Sequence, residues 1–277
     1  MAKSSRAAPY LGRAAGVVAG LAGGWYGLAA GFLLGYMVDE TRADRVLRSY
    51  LRDPEAPPPP EPRPGLAAAS ALALRGRWAG LGDAAFRRGR FESLARGRLA
   101  LSPAEAKALG RLLDAAASAE AADLPSLARR LAVGGAEATR LLLADYAYSL
   151  ARRAGPRLSF AADEALRLEL ADAGLGAEAL AAARAGHFPS YRPPSEILGL
   201  GPGAGADELK RAYRRLSRRL HPDARRAAAA EAPAAPGAQG GAAHGGADEE
   251  AASAEAAAAF AELKEAYDFM KSRAAEE

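Results

Sequence analysis

From Ala14 to Val38 the chain carries no charged residue, and an apolar run of that length must lie in lipid or be covered by other protein. It is long enough to cross a hydrocarbon core of about 30 Å as one helix. Glycines recur along it at every fourth position, Gly16, Gly20 and Gly24 and then Gly27, Gly31 and Gly35, the small-xxx-small spacing that lets membrane helices approach closely. The expectation is a single transmembrane helix over 14–38 that pairs with a second copy through its glycine face to make a homodimer. Lys3, Arg6 and Arg13 make a basic segment over 1–13, which also fits a cleavable signal peptide. Against cleavage stand the length of the apolar run and the lack of an A-x-A-like site before Asp39-Glu40. Ala and Gly are abundant throughout, but compositional bias does not empty a segment of charge. Basic residues flank both ends, with Arg42, Arg45, Arg48 and Arg52 following, so the charge rule leans only slightly toward a cytoplasmic C-terminal side.

The sharpest periodicity lies far downstream. Leu209, Ala212, Tyr213, Leu216 and Leu220 recur at steps of three and four and mark one face of a helix over 207–220. Its other faces carry Lys210, Arg211, Arg214, Arg215, Arg218 and Arg219. Asp207 serves as N-cap or lies in the first turn, where a negative charge suits the helix dipole. Pro222 has no N–H and pushes His221 out of the α region, so the helix stops at about Leu220 and a loop opens with His221-Pro222-Asp223 displayed. A second helix is expected over 249–272, where Ala256, Phe260, Leu263, Tyr267 and Met270 alternate steps of four and three, the seam of an antiparallel hairpin.

An HPD tripeptide between a basic amphipathic helix and a second helix resembles a J domain, the module that stimulates ATP hydrolysis by DnaK-type chaperones of the heat-shock protein 70 class. The resemblance covers 189–277 and includes SEILGL at Ser195–Leu200, which matches the short first helix of such domains. It implies that Ile197 and Leu198 plug the open end of the hairpin, with Leu209, Tyr213, Leu216, Leu220, Phe260, Leu263, Tyr267 and Met270 as the rest of the core. It further implies that His221, Pro222 and Asp223, with the six cations of the basic face, bind the chaperone. A basic face steers association with an acidic surface, and Asp223 offers a carboxylate to a paired arginine. The chain departs from the family's pattern in two places: Ala224 follows HPD where a basic residue is usual, and Pro193-Pro194 stand where an aromatic residue usually precedes the first helix. The loop is also extended, because 224–248 is an Ala/Gly/Pro run without apolar periodicity, expected to be a disordered insert. Closure entropy grows by only about 0.6 kcal/mol per doubling of loop length, so the hairpin should tolerate it. His244, within the insert, reads as a spacer.

Between these ends, a charged and Pro-rich linker over 39–65, with consecutive prolines at Pro57 to Pro60, reads as an extended spacer. From 66 to 188 the sequence is Ala/Leu/Arg-rich with helical periodicity. Ser102-Pro103-Ala104-Glu105 is a capping box with Pro at the first helical position. Trp78, Phe86, Tyr146 and Tyr148 read as core packing, and His187 as the mark of a domain junction. A faint echo between RLALSPAEAKAL and PRLSFAADEAL resembles the two-fold pattern of the TerB-like helical domain, although the acidic turns of that family are missing. Proteins similar to DjlA combine a transmembrane segment, a TerB-like domain and a C-terminal J domain in this order.

The fold class expected is therefore all-α. The absence of cysteine excludes disulfides, thiolate zinc sites and cysteine nucleophiles and fits a reducing compartment. No G-x-x-x-x-G-K-[ST] or H-E-x-x-H motif occurs, and the three histidines lack ligand spacing. Gly201 to Gly205 follows no strand and reads as a turn. No enzyme activity, cofactor or metal is expected, and a formal charge of +4 implies no general nucleic-acid partner. The resulting expectation is a co-chaperone anchored in the inner membrane, its C-terminal domains facing the cytoplasm, with a DnaK-type chaperone, membrane lipid and an unknown client as partners. Two rivals stay open: a membrane scaffold with a degenerate J domain, and a tether that holds nucleic acid on the arginine face.

Overall fold

The computed structural model describes residues 11–21, 24–53, 56, 57, 59, 61, 63–76, 78, 81–119, 122–201, 203–220 and 245–276. Among them the fold is all-α, with helices α1 (Leu11–Gly20), α2 (Gly24–Arg52), α3 (Leu66–Arg75), α4 (Ala84–Leu99), α5 (Pro103–Ser118), α6 (Leu124–Gly134), α7 (Glu137–Ala154), α8 (Phe160–Asp172), α9 (Ala177–His187), α10 (Pro194–Leu198), α11 (Ala206–Leu220) and α12 (Gly245–Glu276). They form two compact units: Met1–Leu158 with Glu164–Pro189, and Ser159–Asp163 with Ser190–Glu277.

The single helix expected over 14–38 is instead two helices, α1 and α2, folded back on each other. No helix among the described residues is long and apolar enough to cross a membrane. The reason lies in the glycines. Gly16 faces Gly31, Gly20 faces Gly27, and Gly12 faces Gly35, so closely that a Cβ on any of them would overlap a backbone carbonyl across the interface. The residue numbers run in opposite directions along this contact, which makes the pair antiparallel. Small residues every fourth position let the two backbones touch, and that is the use made of Gly16, Gly20, Gly27, Gly31 and Gly35; Gly24 opens α2. The glycine face of each helix is filled by the other helix of the same chain. Asp39 fastens the open end: its carboxylate accepts from the N–H groups of Gly12 (2.8 Å) and Arg13 (3.0 Å) at the start of α1. A carboxylate there satisfies two orphan donors and complements the helix dipole. Arg13 also stacks its guanidinium over Tyr36 at 4.5 Å.

The linker expected over 39–65 is helical in its first half. α2 runs on to Arg52 because Leu47, Tyr50 and Leu51 are buried in the first unit, and Arg130 covers the Tyr50 ring at 4.7 Å. At the centre of that unit is α3, whose residues from Leu66 to Leu74 are all buried. A helix apolar on every side belongs inside a bundle, and α2, α4, α5, α6 and α7 pack around it. Its ends are tied to charge. The Glu61 carboxylate accepts from Gly65 N–H (2.7 Å) and Ala67 N–H (2.6 Å), and burial pushes its pKa up despite these bonds. Gly65 has φ +83, a left-handed conformation that glycine adopts freely. At the other end Arg75 donates to the carbonyls of Ala116 and Ala117, which close α5.

Around α3 the aromatics interlock. Phe91 meets Tyr146 edge to face at 5.3 Å, while the Tyr146 hydroxyl (3.0 Å) and Trp78 Nε1 (3.1 Å) both donate to Ala73 O. Tyr148 is buried as well; Phe86 is half-buried under the Arg153 guanidinium. The Ser102 capping box forms in full, with Glu105 accepting from the Ser102 N–H.

His187, expected only to mark a junction, closes a polar node. Its Nε2 lies 2.8 Å from Asp145 Oδ1, and the same carboxylate takes both Nε and Nη2 of Arg98 at 3.0 Å. Asp145 is buried and Arg98 is half-exposed. Asp145→Ala should therefore cost about 2 kcal/mol of unfolding free energy, because hydrogen bonds to a charged group are lost and a ring nitrogen is left unpaired. Denaturant unfolding of the two proteins checks this, and a change within about 0.5 kcal/mol would deny the node its role.

Candidate functional site

The second unit is built around Phe160, Leu198, Leu209, Leu263 and Ala266, with Tyr191, Ile197, Leu200, Tyr213, Leu216, Leu220, Tyr267, Phe269 and Met270 packed against them. α10 starts at Pro194, whose missing N–H costs nothing in a first turn. It ends at Gly199, which takes φ +63 so that Leu200 N–H can reach back to Ser195 O at 2.8 Å. That short helix aims Leu198, fully buried, and Ile197 into the space between α11 and α12. Tyr213 of α11 and Tyr267 of α12 stack at 4.3 Å.

The aromatic ring expected to be missing before α10 is supplied twice. Tyr191 sits edge to face with Phe160 at 6.0 Å, and Phe160 meets Phe269 at 5.9 Å. Phe160 lies at the start of α8, and with Ser159 to Asp163 it belongs to this unit. Ser159 caps that turn by accepting from Ala162 N–H at 3.3 Å, and Asp163 accepts from the Tyr191 hydroxyl at 2.9 Å.

The seam of α12 also differs in detail. Leu263, Tyr267 and Met270 join the core as the spacing indicates; Phe260 is half-buried outside it, and Ala266 and Phe269 take part instead. α12 begins at Gly245 rather than Glu249, so the end of the expected disordered insert is helical.

On α11 the burial of Leu209 and Ala212 fixes which side faces outward. Lys210, Arg211, Arg214, Arg215, Arg218 and Arg219 are all exposed, and none of them is ion-paired among the described residues. Their spacing, two adjacent residues at every fourth position, gathers them into one continuous face. Asp207 and Glu208 occupy the first turn and Arg218 and Arg219 the last, so the helix dipole is complemented at both ends. Such a surface can attract an acidic partner over about 10 Å at moderate salt and bind carboxylates at close range. His221, Pro222 and Asp223, which follow directly on α11, lie outside the described residues, as do Ala224 and His244.

Residues 195–235 match the family model of the DnaJ domain, a span that takes in α10, α11 and the HPD tripeptide. A stretch of 36 residues is 61% identical to the Chaperone protein DnaJ of Brevibacillus choshinensis and amounts to 13% of this chain and 10% of that one. The chain therefore spans only a small part of that relative's length. No solved structure matches the chain. The segment that matches the DnaJ domain thus carries the basic helix directly ahead of HPD, and the hydrophobic core of the second unit holds that helix in place.

Proposed function

We propose that the protein is a J-domain co-chaperone that binds a DnaK-type chaperone and stimulates its ATP hydrolysis, performing no covalent chemistry itself. The observation that carries the reading is the exposed basic face of α11, which stands immediately before HPD in the sequence, within the segment that matches the DnaJ domain. In this reading the six cations dock on an acidic surface of the partner, and His221, Pro222 and Asp223 transmit the stimulation. The partner acts in the cytoplasm, at the inner face of the membrane. The first unit, similar in its setting to the TerB-like domain of DjlA-like proteins, selects the client.

Arg214→Glu with Arg218→Glu tests the docking surface. The pair should weaken binding of the full chain to the chaperone at least about tenfold at low salt and flatten the salt dependence of association. Unchanged affinity would contradict the assignment of this face. The second reading, a scaffold with a degenerate J domain, is favoured by Ala224 and the long segment after HPD. It expects no binding by either protein.

A further inference from the structure

We propose that the α1–α2 hairpin inserts into one leaflet of an anionic phospholipid membrane from one side, without crossing it. Of the twelve large hydrophobic residues exposed among the described residues, ten lie on this hairpin: Leu11, Val18, Leu21, Trp25, Tyr26, Phe32, Leu33, Leu34, Met37 and Val38. Phe32, Leu33 and Leu34 are 50%, 60% and 62% exposed, and being consecutive in a helix they point about 100° apart. The glycine face of α2 is turned to α1, so its three other sides are all apolar and all open. A protein partner or a second copy would cover one side and leave the rest in water. A fluid hydrocarbon phase covers them all, and a helix pair apolar on every outward side is suited to lipid.

Depth and orientation follow from length and charge. The ten residues of α1 rise roughly 15 Å, half of a hydrocarbon core of about 30 Å. The first turn of α2, with Trp25 and Tyr26 exposed at 73% and 82%, leads the insertion. Because the hairpin is antiparallel, Arg13 near the start of α1 lies at the same end of it as Arg42 and Arg45 of α2. This accounts for a charge pattern that favours neither orientation of a spanning helix, with Lys3, Arg6 and Arg13 before the run and Arg42, Arg45, Arg48 and Arg52 after it. At the base, Arg42 and Arg45 are exposed and placed to meet anionic headgroups, whereas the acidic Asp39 and Glu40 are already engaged, Asp39 by the α1 N–H groups and Glu40 by Arg111 at 3.2 Å.

The proposal goes beyond the co-chaperone reading and is tested apart from it, since the hairpin and the DnaJ segment belong to different units. The full chain is mixed with preformed vesicles of phosphatidylcholine and phosphatidylglycerol. It should float with them, and Trp25 emission should shift to the blue and be quenched by lipids brominated on the acyl chain. Trp78, buried and hydrogen-bonded in the first unit, should contribute no shift. Phe32→Lys with Leu33→Lys, on open surface where folding does not need them, should cut the bound fraction at least about tenfold. Because the protein has no cysteine, Ser4→Cys and Ser49→Cys report topology, and both should react with an impermeant maleimide added outside. Absence of flotation, or protection of Ser4→Cys alone, would overturn the proposal, the latter in favour of a spanning segment. A blue shift of Trp25 that rises with protein concentration without vesicles would overturn it in favour of a second copy.

Discussion

Phe160→Ala should destabilise the second unit by about 3 to 5 kcal/mol, the usual cost of removing a fully packed aromatic ring from a core. Phe160 is buried, and it is the ring that touches both Tyr191 and Phe269. Its loss leaves a hole bounded by the start of α8, the segment at Tyr191 and α12, which cannot all collapse inward together. Amide hydrogen exchange reads the effect locally. Protection of α11 and α12 should fall by at least roughly a hundredfold, as 1.4 kcal/mol is a factor of ten, while α3 and α7 of the first unit keep theirs. Phe160→Leu, which refills most of the volume, should restore much of the loss. Unchanged exchange in α11 and α12 would mean that the Ser159–Asp163 turn is no part of this unit.

The second large effect is expected at the hairpin. In Gly31→Leu the clash begins at the Cβ, which would overlap the Gly16 carbonyl, so no rotamer of the new side chain relieves it. The helices must separate, and separation also withdraws Asp39 from the α1 N–H groups. Overpacking against backbone lies at the upper end of its usual range, about 3 kcal/mol. Limited proteolysis should cut α1 readily in this variant and spare it in Val18→Leu, which places a leucine on the open side instead. Equal resistance of the two variants would show that the glycine contact does not hold the hairpin.

These cases also show where the sequence was informative. α11 could be read in full, because its apolar face and its basic face are both pure and Pro222 stops it. The hairpin could not. Helical periodicity identifies Gly16, Gly20, Gly27 and Gly31 as a surface for close approach but does not say whether the partner is another copy or the next helix. No proline or charge separates α1 from α2 in the sequence. The length of the uncharged run points to one span, whereas the paired glycines and the Asp39 cap favour two helices folded back on each other. Phe160 was hidden for a different reason. It opens a helix whose residues from Glu164 on belong to the other unit, and periodicity along a chain does not reveal which core a single ring enters. The node at Asp145 joins residues more than 40 positions apart, Arg98 and His187 on either side, a contact that only the packing of the first unit creates.

The central claim is that the segment after α11 activates a DnaK-type ATPase. Single-turnover ATP hydrolysis by the cognate chaperone, with the full chain added as wild type or as His221→Gln, tests it most directly. The account predicts that the wild type accelerates hydrolysis and that the variant, equally helical and with the basic face of α11 intact, does not. Acceleration by both proteins, or by neither, would contradict it, and the second result would leave a J-domain shape without the activity.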